Sequence, residues 1–358
     1  MIYKPDFEEA KRYWQAFWQK EVLDRPVICV TAPKKNRTRP SYLNTPVLSY
    51  KSCMNSRFDT LLQEYDAYAA ATYFGGEAVP AFDITLGPDQ YAGFLGVRIE
   101  AHDGYDTTWA QPMIKDWTDY SVRIDRSPGG YFDQVMKYYR YAADFARDRF
   151  LLNMLDLHSN MDALSALRGP ENLCIDLMDC PDEVHRALDA VRSTYPEIVE
   201  MPYTAGDMAN RGSTGWSPTY CENGRFAVVQ CDFSCMISPA QAREFVIPAI
   251  GEEAAYLDRC VYHYDGKEAL GHLDDILAIP DIDVIQWVPG DGNPRSIEWM
   301  ELLHKIQKAG KGLWIYDWTV DEIKKRFKEL KPEGLVFSVS AGSEAEAENL
   351  LSYVKDHM

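Results

Sequence analysis

Residues 260–294 read CVYHYDGKEALGHLDDILAIPDIDVIQWVPGDGNP, and this stretch decides the fold. Val261 and Tyr262 close a short apolar run, and His263, Tyr264, Asp265 and Gly266 follow at once. Ala269, Leu270, Leu273, Ile276 and Leu277 then recur at helical spacing, and after Pro280 a second apolar run over 284–288 ends at Pro289-Gly290. Strand, polar loop, helix, strand and glycine-bearing loop make a βαβ unit. Its polar residues lie at the carboxyl ends of the strands, the edge where α/β folds place ligands.

The same unit can be followed through the chain. Apolar runs predict strands at 26–30, 78–84, 150–155, 226–230, 261–262, 284–287, 312–316 and 334–338, each followed by polar residues. Helical spacing predicts a leading helix over 5–22, placed to cover a barrel floor, and further helices over 58–73, 131–149, 160–167 and 343–354. Pro181, with Asp182 and Glu183 behind it, opens another helix, because proline suits the first helical position and acids suit the positive end of the dipole. Ser238-Pro239-Ala240-Gln241 has the form of a capping box. Residues 201–224 read as an irregular Gly/Ser/Trp/Pro loop, and 89–127 as an inserted hairpin placed where a lid would lie. Eight strands alternating with helices predict a (β/α)8 TIM barrel over 1–358 as one domain, with an open doubly wound sheet as the alternative.

Composition narrows the partners. A hydrophobic fraction of 46% and a charged fraction of 26% are those of an ordinary globular protein. The net charge of -18 repels nucleic acid and anionic membrane, so neither is expected as a partner. No run of about 18 apolar residues predicts a membrane span, and the first residues, MIYKPDFEEAKRYW, lack the pattern of a signal peptide. Eight cysteines without a CxxC pair point to reduced thiols and a cytoplasmic location. Aromatic residues make up 13% of the chain, and many Trp and Tyr fall near loop mouths, as in an aromatic-walled pocket.

If the strands close into a barrel, one mouth receives Asp83, Asp156, His158, Gln230, Asp232, His263, Asp265, Gln286, Trp287, Tyr316 and Asp317. Carboxylates crowded in an apolar mouth have their pKa values pushed apart, so that one serves as acid while another stays a base. The expected catalytic group is His263, Asp265, Asp232 and Asp156. Asp83, Trp216, Gln230, Gln286, Trp287, Tyr316 and Asp317 are the expected substrate contacts. His263 and Asp265, one residue apart on an extended segment, point the same way and could join His158 around zinc or a similar divalent ion. The competing reading is that His263 hydrogen-bonds a neighbouring strand end and holds no metal. Cys231 and Cys235 are spaced C-x3-C, but no second pair matches them, which favours buried thiols. The chain carries no phosphate-binding G-x-x-x-x-G-K-[ST], no strand-borne G-x-G-x-x-G, no H-E-x-x-H and no G-x-S-x-G. Nucleotide hydrolysis, zinc proteolysis and α/β-hydrolase chemistry are therefore disfavoured.

Three segments, ALRGPENLCIDLMDCPDEVHRAL (166–188), CDFSCMISPAQAREFVIPAI (231–250) and YHYDG (262–266), resemble the uroporphyrinogen decarboxylase superfamily, which includes corrinoid:thiol methyltransferases. The resemblance covers 150–355 well and the first half poorly. It implies a (β/α)8 barrel with its active site at the carboxyl mouth. The decarboxylases of that superfamily carry an R-Q-A-G-R motif where this chain has TAPKKNRTRP, so uroporphyrinogen is not the expected substrate. The methyltransferases hold zinc through His-x-Cys and a distant cysteine. Here the matching residues are His263-Tyr264-Asp265, with Ser338 and Ser340 on the last strand, so only His263 is carried over. The expectation is a methyltransferase-like enzyme acting on a small organic substrate, with a divalent metal such as zinc and a corrinoid presented by a partner protein. The alternatives are a decarboxylase for another substrate and a non-catalytic small-molecule or corrinoid-binding barrel. Self-association into a homo-oligomer stays open.

Overall fold

The computed structural model describes residues 1–118 and 121–358. The expected lid segment, 89–127, contains the two residues outside that range. Among the described residues eleven strands occur in order: β1 Val27–Pro33, β2 Thr72–Gly76, β3 Ala81–Phe82, β4 Arg98–Glu100, β5 Trp109–Gln111, β6 Leu151–Leu152, β7 Phe226–Val229, β8 Arg259–Asp265, β9 Val284–Val288, β10 Gly312–Ile315 and β11 Leu335–Ser340. A seven-stranded sheet runs β2-β1-β11-β10-β9-β8-β7, parallel throughout except for β2. The protein is thus an α/β fold around a mostly parallel sheet, with helices packed outside it.

The sheet is not closed, and this corrects the expectation of an eight-stranded barrel. β2 pairs antiparallel with β1, from Cys29↔Gly76 to Pro33↔Thr72, and so occupies the β1 edge that closure would need. β3 and β6 form a separate parallel pair of two residues each. Beyond it the amide of Met154 donates to the Thr214 carbonyl in an irregular segment rather than to a strand.

β2 is also where helical periodicity misleads. The expected helix over 58–73 stops at Ala70, and Thr72, Tyr73 and Phe74, residues that favour strands, turn back along β1. Gly76 permits the close approach. Its φ is +57°, and a Cβ there would lie 2.2 Å from the Ile28 carbonyl oxygen.

The leading helix, Phe7–Trp18, seals the amino ends of the strands. Trp18 donates to the Tyr220 carbonyl at 2.8 Å, packs on Phe226 at the start of β7, and has the Arg259 guanidinium over its ring. Beside it Arg25 and Glu77 form a buried two-pronged ion pair at 2.7 and 2.8 Å, and Glu77 also accepts the Ile28 amide. With both charges satisfied, the pair closes the floor without leaving a free polar group.

The expected helix starts at Pro181 and Ser238 are present, the second with its complete capping box. The Pro181 helix runs to Ala205, into the stretch expected to be irregular. After the Ser238 cap one π-turn, Ala242–Val246, precedes the helix Ile247–Tyr256. Pro248, which has no amide to give Glu244, accounts for that widened turn. Within 89–127 the β4–β5 hairpin forms, held by the Asp89 carboxylate on the Ala110 amide at 2.7 Å. Among the described residues no helix is long and apolar enough to cross a membrane.

Candidate active site at the strand ends

Period-two alternation along β8 sends Tyr262 and Tyr264 outward into the helical layer, both buried, and sends His263 and Asp265 inward. β9 pairs in register, His263↔Gln286 and Tyr264↔Trp287. Gln286 therefore shares the inner face with His263. Trp287 does not. It packs between Tyr264 and Trp299, at ring separations of 5.6 and 5.3 Å, so its expected place in a substrate wall is corrected to a place in the core.

His263 Nδ1 lies 2.6 Å from Gln286 Oε1. An amide oxygen only accepts, so Nδ1 carries a proton and Nε2 is the ring nitrogen that remains for a metal. Asp232 stands past the end of β7, in the short turn Asp232–Met236, whose first two amides donate to the Asp162 carboxylate at 3.0 and 2.8 Å. Ligand atoms of Asp232, His263 and Asp265 all lie within 4.8 Å of one another. The Asp265 Oδ1 is buried and accepts no hydrogen bond. An oriented imidazole and two carboxylates, one with an unsatisfied buried oxygen, form a donor set suited to a divalent ion such as zinc or manganese.

His158 belongs to a neighbouring group. Its Nε2 lies 3.3 Å from Asp156, and its Nδ1 lies 3.5 Å from Asp162 and 3.7 Å from Asp232. Burial alone would lower its pKa, but Asp156 first and Asp162 after it raise it well above the usual histidine range. Both Asp162 oxygens also accept from backbone amides. Ligand atoms of His158, Asp162 and Asp232 also lie within 4.8 Å of one another, a second group able to hold a metal ion, and without one His158 stands among these acids as an internal cation.

That cation organises the acids. Asp156 accepts from Gln230 Nε2 at 2.7 Å and from Trp216 Nε1 at 3.0 Å. Burial pushes its carboxyl up, but His158, His263 and the Gln230 hydrogen bond together hold it below the usual range. Asp232, whose side chain is about half exposed, is pushed the other way by its partial desolvation and then by Asp162. Asp83 is pushed up to about 7 by burial and by Asp156, against a hydrogen bond from Asn153. Two neighbouring carboxyls, Asp83 and Asp156, thus prefer opposite protonation states near neutral pH.

Around this centre lie three hollows. One of about 380 Å³ is walled by Trp216, Tyr316 and Phe74. Another of about 460 Å³ runs from His158 and Asp232 to Trp109 and Pro112 of the inserted segment. A third of about 530 Å³ reaches from Asp265 to Tyr316 and Asp317. Trp216 meets His263 edge-on at 5.2 Å. The Asp317 carboxylate is engaged by the amide and hydroxyl of Ser296, so it ties a loop to the end of β10 and offers little to a substrate. Cys231 is buried, and Cys235 donates to the Asp265 carbonyl at 3.3 Å with its thiol pushed up to about 11, mainly by burial. The C-x3-C pair therefore remains as thiols.

Sequence reading missed Asp162, Asn153 and Trp314. Asp162 sits four residues past His158, one helical turn on, and Asn153 interrupts the apolar run FLLNML; both signals were present. Trp314 packs on Trp216 at 5.5 Å and donates to Ser338 at 2.8 Å, contacts that only the fold reveals.

No family model matches the chain, and no curated protein matches it. Among solved structures it is similar to a methyltransferase from Methanosarcina mazei, with a TM-score of 0.59 over 97% of this chain and 98% of that one, at 15% identity. That likeness establishes a shared α/β architecture along nearly the whole length of both chains.

Proposed function

We propose that this chain is a methyltransferase-like enzyme of the uroporphyrinogen decarboxylase superfamily, built as an opened single-domain barrel over 1–358. Its reaction centre holds a divalent metal through Asp232, His263 and Asp265. The observation that carries the reading is the convergence of those three side chains within 4.8 Å from the ends of two adjacent strands. The superfamily likeness of 166–188, 231–250 and 262–266 and the methyltransferase fold partner support the methyl-transfer class.

A divalent ion bound there supplies Lewis acidity to a substrate heteroatom. The protein's own groups do the rest. Gln286 orients His263, Trp216 and Tyr316 wall the hollow beside it, and Asp156 is kept ionised by His158. Asp83 exchanges a proton at about neutral pH, next to the same hollow. The methyl donor in this reading is a corrinoid carried by a partner protein that docks at the mouth. Replacing thiolates by carboxylates favours a harder metal and an oxygen or nitrogen acceptor over a thiol.

Metal analysis after reconstitution with zinc or manganese, together with methyl transfer from free methylcobalamin to an added alcohol or amine acceptor, which leaves the acceptor methylated and the cobalamin demethylated and is followed by visible absorbance, tests the reading. One equivalent of metal, lost in His263→Ala along with demethylation, is expected. A protein that binds no metal and leaves methylcobalamin intact contradicts it. A second reading, a decarboxylase for another substrate, is favoured by Asp83, whose acid sits where it could protonate a carbanion. Loss of carbon dioxide from a substrate without metal, abolished by Asp83→Asn, would mark that reading instead.

A further inference from the structure

The hollow of about 380 Å³ beside Trp216 lies next to the metal group, and its lining includes neither His263 nor Asp232. Among the described residues no aspartate, glutamate, lysine, arginine or histidine lines it. Most of its hydroxyls are already engaged. Thr214 donates to the Thr219 carbonyl at 2.6 Å, Ser217 and Thr219 share a bond at 2.8 Å, and Thr31 and Ser340 face each other at 3.4 Å. Ser338 accepts from Trp314, which leaves its own proton available. Asn153 differs from all of these. Its side chain is only 6% exposed, its amide donates one hydrogen bond to Asp83, and its Oδ1 accepts nothing. A buried acceptor without a donor is unfavourable, and a ligand's O–H or N–H relieves it.

The surroundings set the charge. Asp156 stands directly behind Trp216, bonded to its ring nitrogen, and Asp83 stands beside Asn153. His158, the cation of the site, is already balanced by three carboxylates. An anion entering the hollow would lose its water, gain no positive partner and face the ionised Asp156.

We propose that this hollow is the substrate subsite and that it takes a small non-anionic molecule bearing an O–H or N–H group. That group donates to Asn153 Oδ1, while Ser338 donates to an acceptor on the same molecule. The proposal names the substrate class for the reaction centre proposed above and in that sense rests on it. The hollow itself is independent of the metal ligands.

Lactamide and lactate, matched in shape but differing in charge, are the probes, with binding read by saturation-transfer NMR on metal-free protein. Lactamide is expected to bind at least tenfold more tightly than lactate, and Asn153→Leu is expected to weaken lactamide about fivefold. Thr31→Lys, which places a cation in the hollow, is expected to turn the preference toward lactate. The wild-type comparison needs no variant to fold. Equal or tighter binding of lactate, or no binding of lactamide, overturns the proposal. Repeating the comparison on His263→Ala separates the two readings. Retained lactamide preference in a wild-type protein that binds no metal would overturn the metal centre alone.

Discussion

At the residue scale, the account depends on which nitrogen of His263 is free. Gln286 holds Nδ1, and a second partner of this kind is worth about 10–100-fold in metal affinity. Gln286→Leu, which keeps the volume, should therefore weaken zinc binding by about that factor in calorimetry while leaving the melting temperature nearly unchanged. His263, Asp265 and Asp232 were legible in the sequence because each follows an apolar run directly. Trp287 was misassigned beside Gln286, although two consecutive residues of one strand cannot face the same side. His158 was legible as a mouth residue but not as a cation, since Asp162 reaches it from a helix that composition alone does not aim.

Glu253 gives a second residue-scale prediction. It is buried, accepts from Asn160 at 3.1 and 3.3 Å, and is pushed up to about 8 from its ordinary 4.5, chiefly by burial. The folded state keeps a proton there that the unfolded chain releases. Its contribution to stability is therefore fully present below pH 4.5 and is lost as the pH rises through about 8. Asp83, raised to about 7, acts in the same direction. Urea unfolding should show stability falling by a few kcal/mol between those limits, at roughly 1.4 kcal/mol per pKa unit, and Glu253→Gln should flatten the profile. An equally steep profile in the variant would remove Glu253 from the account.

At the scale of elements, β2 decides how the sheet ends. It covers the β1 edge, and its tight return depends on Gly76. Gly76→Ala places a methyl group against the Ile28 carbonyl at a positive φ, which should cost about 1–3 kcal/mol or more. A urea titration reads this as a lower midpoint. An unchanged midpoint would show that β2 is not tied to β1 as described. The expected strands and capped helices were largely legible because apolar runs and caps are local signals. β2 was not, because Tyr65, Tyr68, Phe74 and their neighbours fit a helical period through the end of the preceding helix, and only pairing with β1 selects the strand. Closure of the barrel is a property of edges, and an edge strand that returns to β1 after two intervening helices leaves little trace in a strand count.

At the scale of the whole molecule, strands far apart in sequence bring Asp83, Asp156, Asp232, His263 and Asp265 to one side of an unclosed sheet. The chain's -18 net charge adds to the negative character of that mouth, which attracts a cation and repels anionic substrates. The most direct test is a crystal of the protein grown with zinc, with anomalous scattering recorded at the metal's edge. The account predicts one strong peak about 2.0–2.2 Å from His263 Nε2 and from a carboxylate oxygen each of Asp232 and Asp265. A peak on His158 and Asp162 instead, or none near His263, would contradict it.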